Sequence, residues 1–129
     1  MGGKLGRCVI KHWIKDFCNH SDAVYGDKFE KRSDCIAGIG NNVTVEFTDM
    51  DFDDKPATKL EITGATDIPC NTIHVIFDNG KEEVRDILEF TKEGGDTQSF
   101  TVSNYQGKGT IRFVFLPGSS FDMKNVRFS

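Results

Sequence analysis

Several short segments of this sequence alternate apolar and polar residues, and this period of two constrains the fold more than any other feature. Residues 43–48 read Val-Thr-Val-Glu-Phe-Thr. In an extended chain Val43, Val45 and Phe47 point to one side, and the intervening polar residues point to the other. The segment therefore predicts a strand with one buried face.

The same alternation recurs along the chain and predicts further strands. The predicted inward-facing side chains are Leu60, Ile62, Ile73, Val75, Phe77, Ile111, Phe113 and Phe115. A turn is predicted at residues 78–81, because Asn79-Gly80 tolerates the positive φ of a tight hairpin. Residues 84–90 fit a strand or a helix, and that alternative stays open. A last strand is predicted over residues 125–128.

The composition favours the same class of structure. The 129 residues include 11 Phe, 10 Ile and 9 Val but only 4 Leu and 4 Ala. Branched and aromatic side chains fit a pleated surface, whereas Leu and Ala are the better helix formers. A chain of this length builds a single core. Seven or more short strands with Gly, Asn and Asp turns predict one all-β domain, a β-sandwich or jelly roll.

The first 22 residues show a different period. Ile10, Trp13, Ile14 and Phe17 recur at the helical spacing i, i+3, i+4, i+7. We therefore expect a short amphipathic helix within residues 8–18, in an N-terminal lead that precedes the domain at residues 23–129. Trp13 is the only tryptophan. It either packs this lead onto the domain or serves as an exposed binding surface, and both interpretations stay open.

The charge balance and the hydropathy pattern exclude several classes of partner. The chain has 16 Lys and Arg against 20 Asp and Glu, a net charge of −4. No basic cluster is interleaved with aromatic residues, so we expect no nucleic-acid partner. No run of 18 apolar residues occurs, so we expect no membrane partner. The first six residues lack the apolar run of a signal peptide, and nothing in the sequence fixes a compartment.

Motifs for catalysis are absent from the sequence. It has no Gly-x-Ser-x-Gly elbow, and its 3 His have no evident nucleophile beside them. A glycosidase needs two carboxylates at a set distance, which a sequence with 20 acidic residues does not reveal. We expect no enzyme activity from the isolated chain.

The densest acidic cluster contains Asp49, Asp51, Asp53 and Asp54. An EF-hand loop that began at Asp49 would need Gly at its sixth position and Glu at its twelfth. Those positions hold Asp54 and Leu60, so the EF-hand interpretation fails. A looser calcium site and a solvated acidic loop both stay open, and we predict no required cofactor.

Several strings together resemble a known module. Residues 24–29, 38–47, 49–52, 71–75 and 113–122 resemble the module at the C-terminal end of bacterial family 2 glycoside hydrolases of the β-galactosidase type. That module is similar to family 6 carbohydrate-binding modules, which are galactose-binding-like β-jelly rolls. The resemblance covers residues 23–129 and implies this jelly-roll fold for them.

The resemblance also implies where a sugar would bind. Family 6 modules commonly clamp a sugar ring between two aromatic side chains, helped by an Asn near the last strand. The clamp positions correspond to Gly38-Ile39 and Asp96, and the polar position falls within residues 120–122. The acid that holds a structural calcium in such modules corresponds to Lys124, which argues against that ion.

Five residues are therefore candidates for sugar contacts. We expect Asn41, Asp96 and Asp122 to bond hydroxyl groups, with Tyr25 or Trp13 as a stacking surface. Structural alternatives stay open for each: Asp96 and Asp122 as turn residues, Asn41 as the holder of a backbone bend, and Tyr25 as a core residue.

The resemblance implies a noncatalytic carbohydrate-binding module of a larger bacterial glycoside hydrolase. Its partners would be a glycan and the other domains of the parent enzyme. The missing clamp aromatics favour an alternative, in which the domain only docks against its parent and binds no sugar.

Overall fold

The structure, a computed structural model, describes residues 14–17, 23–32, 35–52 and 56–129. These residues form β-strands and one turn of 3-10 helix, Lys92–Gly94. The strands are β1 Ile14–Phe17, β2 Ala23–Tyr25, β3 Glu30–Lys31, β4 Ile36–Ile39, β5 Val43–Asp51, β6 Ala57–Ala65, β7 Cys70–Asp78, β8 Glu83–Thr91, β9 Thr97–Tyr105, β10 Lys108–Phe115 and β11 Phe121–Phe128. Within these ranges no helix is long and apolar enough to cross a membrane.

The strands build two antiparallel sheets. The first sheet has the order β3-β4-β11-β6-β9, and β1 also pairs with β11. The second sheet has the order β2-β5-β10-β7-β8. Sequential strands alternate between the sheets through much of the chain, so the buried faces of both sheets meet in one core. This arrangement confirms the prediction of an all-β sandwich of the jelly-roll type.

The core lies between the sheets and contains the residues that the alternation predicted. All eleven side chains predicted to face inward are buried: Val43, Val45, Phe47, Leu60, Ile62, Ile73, Val75, Phe77, Ile111, Phe113 and Phe115. Aromatic rings fill its centre, where Phe52 packs edge-on against Phe128 with ring centroids 5.3 Å apart. Edge-to-face packing of this kind stabilises a core beyond the area that it buries.

The predicted turn at residues 78–81 joins β7 to β8. Asn79 Oδ1 accepts hydrogen bonds of 2.9 Å from the backbone N–H groups of Lys81 and Glu82. The two strands then pair along their whole length, from Asp78 opposite Glu83 to residues 70 and 91. This pairing decides the open alternative at residues 84–90 in favour of a strand.

The predicted N-terminal helix is wrong for Ile14–Phe17, which form strand β1. β4 pairs with β11 only at Phe121 and Met123, so the same edge of β11 is open beyond them. β1 fills that edge, with residue 14 opposite Phe128 and Phe17 opposite Asn125. A short isolated helix is only marginally stable, so backbone pairing with a preformed sheet is favoured even though the apolar residues recur at helical spacing. Ile10 and Trp13 lie outside the described residues.

Candidate functional site

A cavity opens at one end of the sandwich, where β4 and β6 end and β11 begins. Its volume is about 310 Å³. The lining residues are Gly38, Ala65, Thr66, Asp67, Ser120, Phe121 and Asp122. Three separate stretches of the chain therefore contribute to it, and the order of strands in the first sheet brings them together.

A buried asparagine holds two of these stretches in place. Asn71, at the start of β7, is only 1% exposed. Its Nδ2 donates to Thr66 Oγ1 at 2.7 Å, and its Oδ1 accepts from the backbone N–H of Ser120 at 2.9 Å. Thr66 Oγ1 in turn donates to the carbonyl oxygen of Ser120 at 2.6 Å. The closed set of bonds fixes the loop after β6 against the loop before β11.

Two carboxylates stand in the cavity wall. Asp122 Oδ1 accepts from the backbone N–H of Gly38 at 2.8 Å, and Asp67 Oδ1 accepts from Ser120 Oγ at 2.7 Å. Each bond orients its carboxylate through one oxygen. Among the described residues, the second oxygen of each has no hydrogen-bond partner. The wall therefore presents two oriented acceptor groups.

The floor of the cavity is apolar. Phe121 is buried, stacks on Phe115 at a centroid distance of 5.5 Å, and meets Phe90 edge-on at 4.7 Å. A Cβ at Gly64 would lie 2.5 Å from Phe121 Cζ and 2.5 Å from the carbonyl oxygen of Asp122. Only glycine at position 64 lets β6 approach β11 this closely, so it contributes to the shape of the floor.

The side walls contain no projecting ring among the described lining residues. Gly38 lies at the position where the resemblance expects a clamp aromatic. Its φ is +61°, and a Cβ at this position would point into open space as far as the described chain extends. Ala65 is exposed and lies opposite Asp122 in the ladder between β6 and β11. Recognition in this cavity would therefore depend on hydrogen bonds above a small apolar floor.

The three predicted polar residues occupy three different places in the structure. Asp122 lines the cavity. Asp96 is exposed and is not among the described lining residues; its backbone carbonyl accepts from Gly64 N at 2.9 Å. Asn41 is exposed, and its Oδ1 accepts from the backbone N–H of Gly118 at 2.8 Å. The oxygen of Asn41 thus holds the loop after β10, and its sugar-binding role stays a prediction.

Tyr25, the predicted stacking residue, lies away from the cavity on the outer face of the second sheet. Cross-strand pairing places five residues in one row, each directly opposite the next: Tyr25, Thr44, Val114, His74 and Ile87. The ends of this Tyr25–Ile87 row are 49% and 60% exposed. The row crosses five strands, roughly 19 Å at ordinary strand spacing. Trp13 lies outside the described residues.

Reasoning from the sequence missed Asp67, Thr66 and Asn71. The stretch Thr66-Asp67-Ile68-Pro69 has the composition of a turn. That signal marks a loop, but it does not reveal that the loop lies beside residues 119–120. Only the neighbouring positions of β6 and β11 in the first sheet bring the two loops together.

The described residues contain no group of three or more His, Cys, Asp and Glu side chains that could hold a metal ion. Asp53 and Asp54 of the acidic loop lie outside the described residues.

Near the cavity, Arg32 donates to Glu30 Oε1 at 3.0 Å. The bond with Glu30 raises the pKa of Arg32, and the charge of Asp122 adds a smaller contribution in the same direction.

Solved structures of carbohydrate-binding modules have the same fold. A family 6 module from Clostridium stercorarium, in complex with cellobiose, is 22% identical, with a TM-score of 0.73 over 89% of this chain and 92% of that chain. A family 6 module from Clostridium cellulolyticum, in complex with xylose, is 18% identical, with a TM-score of 0.71 over 89% and 95%. These likenesses establish the fold.

The fold also occurs within a larger enzyme. A family 43 arabinoxylan arabinofuranohydrolase from Bacillus subtilis matches 74% of this chain with 21% of its own, at 20% identity and a TM-score of 0.61. No protein-family model matches the sequence, and no curated protein sequence matches it.

Proposed function

We propose that this chain, which has the jelly-roll fold of family 6 carbohydrate-binding modules, is a noncatalytic carbohydrate-binding module whose sugar site is the cavity at residues 38, 65–67 and 120–122. The observation that carries the proposal is the pair of oriented carboxylates, Asp67 and Asp122, above the apolar floor. Solved modules of this fold in complex with cellobiose and with xylose support it.

The chemistry of the cavity matches that of a sugar ring. Sugar hydroxyls donate hydrogen bonds, and carboxylate oxygens accept them more strongly than neutral acceptors do. The C–H face of the ring is apolar and suits the exposed Ala65 wall and the Phe121 floor. Because the bonds of Asn71 already fix the loops, little conformational entropy is lost when a ligand binds.

We further propose that the module belongs to a larger glycoside hydrolase. The fold forms about a fifth of the arabinofuranohydrolase chain described above, and the sequence resembles the C-terminal module of family 2 enzymes of the β-galactosidase type. A tethered module raises the effective concentration of the catalytic domain at a glycan without new chemistry. The glycan and the parent's other domains are the proposed partners.

A glycan array followed by calorimetric titration tests the sugar site. We expect a hit among galactosides, xylans or β-glucans, and we expect Asp122→Ala to abolish it. Glu83→Ala is the matched control, because Glu83 is exposed and lies beside the β7–β8 turn. Residues 70 and 78 of β7 are roughly 26 Å apart, so this turn is remote from the cavity. A glycan that still binds the Asp122→Ala variant would show that the sugar site lies elsewhere.

The second candidate function is a docking domain that binds no sugar. It is favoured by the absence of a projecting aromatic ring among the described lining residues and by the exposed ends of the Tyr25–Ile87 row. Two results together would support this role. The folded chain would bind no glycan on the array, and it would associate with the parent's remaining domains more tightly than an Ile87→Lys variant does.

A further inference from the structure

We propose that the cavity selects sugars by charge: it binds neutral and amino sugars more tightly than uronic acids, and the charges of Asp67 and Asp122 both contribute to this selectivity. The inference rests on the proposed sugar site and specifies the chemical class of its ligand. It is carried by the two carboxylates and by what surrounds them.

Both carboxylates are fixed rather than free to turn away from a ligand. Asp67 would lose the 2.7 Å bond from Ser120 Oγ if it rotated, and Asp122 would lose the 2.8 Å bond from Gly38 N. Ser120 is itself held by Asn71 through its backbone N–H. An arriving anion therefore meets two negative groups that remain in place.

No basic residue balances these charges within the cavity. Its described lining contains two acidic residues and no Lys, Arg or His. Arg32 interacts electrostatically with Asp122, but its guanidinium is paired with Glu30 at 3.0 Å. Lys124 is exposed two residues beyond Asp122 and does not line the cavity. The local field in the cavity is therefore negative.

The hydrogen-bonding capacity of the wall points in the same direction. A carboxylate only accepts hydrogen bonds, and a sugar hydroxyl or ammonium group donates them. A uronate carboxylate has no proton to donate at neutral pH, so its oxygens would face two acceptors. Two like charges about 6 Å apart in water weaken binding roughly threefold for each pair, and the effect decreases with salt.

Asp67 is the residue whose charge can be removed with the least structural change. In Asp67→Asn the side-chain oxygen still accepts from Ser120 Oγ, so the loop keeps its bond and only the charge is lost. Asp122 also contacts the backbone of Gly38, so its replacement would disturb β4 as well. Asp67→Asn is therefore the specific test of charge selection.

The experiment titrates the full chain with matched sugars and measures dissociation constants by ligand-observed NMR. The probes are galactose, galactosamine and galacturonate, and the corresponding glucose series, at low salt and at about 0.5 M salt. Within the series that binds, we expect the dissociation constant of the uronate to be roughly tenfold higher than that of the neutral sugar. The amino sugar should bind at least as tightly as the neutral sugar. Asp67→Asn should reduce the discrimination against uronate roughly threefold, and Glu83→Gln, which removes a distant charge, should leave it unchanged.

The possible results separate this inference from the proposed function. A uronate that binds as tightly as its neutral sugar, or an Asp67→Asn variant that behaves like Glu83→Gln, would overturn charge selection and leave the sugar site standing. A folded chain that binds none of the six sugars, and no glycan on the array, would overturn both.

Discussion

The hydroxyl of Tyr105 donates a hydrogen bond of 2.6 Å to Asp86 Oδ2, and this bond joins β9 of the first sheet to β8 of the second. Asp86 also accepts from the backbone N–H of Ser103 at 3.1 Å and from its Oγ at 2.8 Å. The ring of Tyr105 is fully buried and stacks on Phe77 at a centroid distance of 5.2 Å. β8 and β9 belong to different sheets and share no backbone ladder, so these side chains join the two sheets at this edge.

Replacement of Tyr105 by Phe should destabilise the domain while it keeps the ring packing. A hydrogen bond to a charged acceptor contributes about 1.5–3 kcal/mol, and we expect the free energy of unfolding in urea to decrease by about that amount. Tyr25→Phe is the control, because the Tyr25 side chain is half exposed, and it should change stability by less than about 0.5 kcal/mol. Equal effects from the two variants would contradict a bridging role for Tyr105.

The same tyrosine predicts how stability depends on alkaline pH. Burial, and then the bond with Asp86, raise the pKa of Tyr105 well above its ordinary value of 10. In the unfolded chain Tyr105 ionises near pH 10, whereas in the folded chain it stays protonated. Its contribution to stability is therefore complete below pH 10 and is lost as the pH rises from there towards the folded-state pKa, by up to about 1.4 kcal/mol per pH unit.

Urea unfolding of the native chain and of Tyr105→Phe between pH 8 and about pH 11 measures this dependence. The difference in stability between the two proteins should be constant below pH 10 and should shrink above it. A difference that does not change across this range would show that the pKa of Tyr105 is the same in the folded and unfolded states.

Asn71 should be important for both stability and binding. Asn71→Ala leaves Thr66 Oγ1 and the Ser120 N–H without their buried partner, and an unsatisfied buried polar group costs about 1–3 kcal/mol. We expect a decrease of that size in the free energy of unfolding and weaker sugar binding, because the two loops are then free to separate. Asn41→Ala, which removes one exposed bond to Gly118, should cost less than about 1 kcal/mol.

Gly64 should not tolerate even one methyl group. In Gly64→Ala the Cβ meets Phe121 Cζ and the carbonyl oxygen of Asp122, each at 2.5 Å, so the floor of the cavity must move. Overpacking of this kind costs about 1–3 kcal/mol. Gly40→Ala is the matched control, because its Cβ would meet only the flexible side chain of Lys28. Thermal unfolding and sugar titration of both variants test this, and a binding-competent Gly64→Ala variant of native stability would refute it.

An added aromatic ring at the cavity wall should strengthen sugar binding. Ala65 is exposed and lines the cavity, so Ala65→Tyr would provide the stacking surface that the wall lacks. Aromatic packing contributes about 1 kcal/mol, which corresponds to roughly a fivefold lower dissociation constant. Thr101→Tyr, at an exposed position of β9 in the ladder with Lys59, should have no such effect. Calorimetric titration distinguishes the two.

Local patterns predicted most of the strands but not the N-terminal segment. Alternation identified the buried faces of β5, β6, β7 and β10, because each strand has one face in the core and one in solvent. The pattern Ile10, Trp13, Ile14, Phe17 predicted a helix, yet Ile14–Phe17 pair with β11. A helix of so few residues is only marginally stable, so pairing with an open strand edge elsewhere in the fold is favoured over it.

The sequence by itself determined the class of fold, the inward-facing residues and the β7–β8 turn, since each depends on neighbours in the chain. Through a resemblance between strings of residues it also predicted Asp122, which lines the cavity and whose role in sugar binding stays a prediction. Tertiary structure alone decided that Asp67 shares a wall with Asp122 and that Asn71 links the loops around them. The contacts with the loop before β11 join positions about fifty residues apart, such as Asp67 and Ser120, whose separation is 53. Only the order of strands in the sheet brings such positions within hydrogen-bond distance, and no local pattern encodes that order.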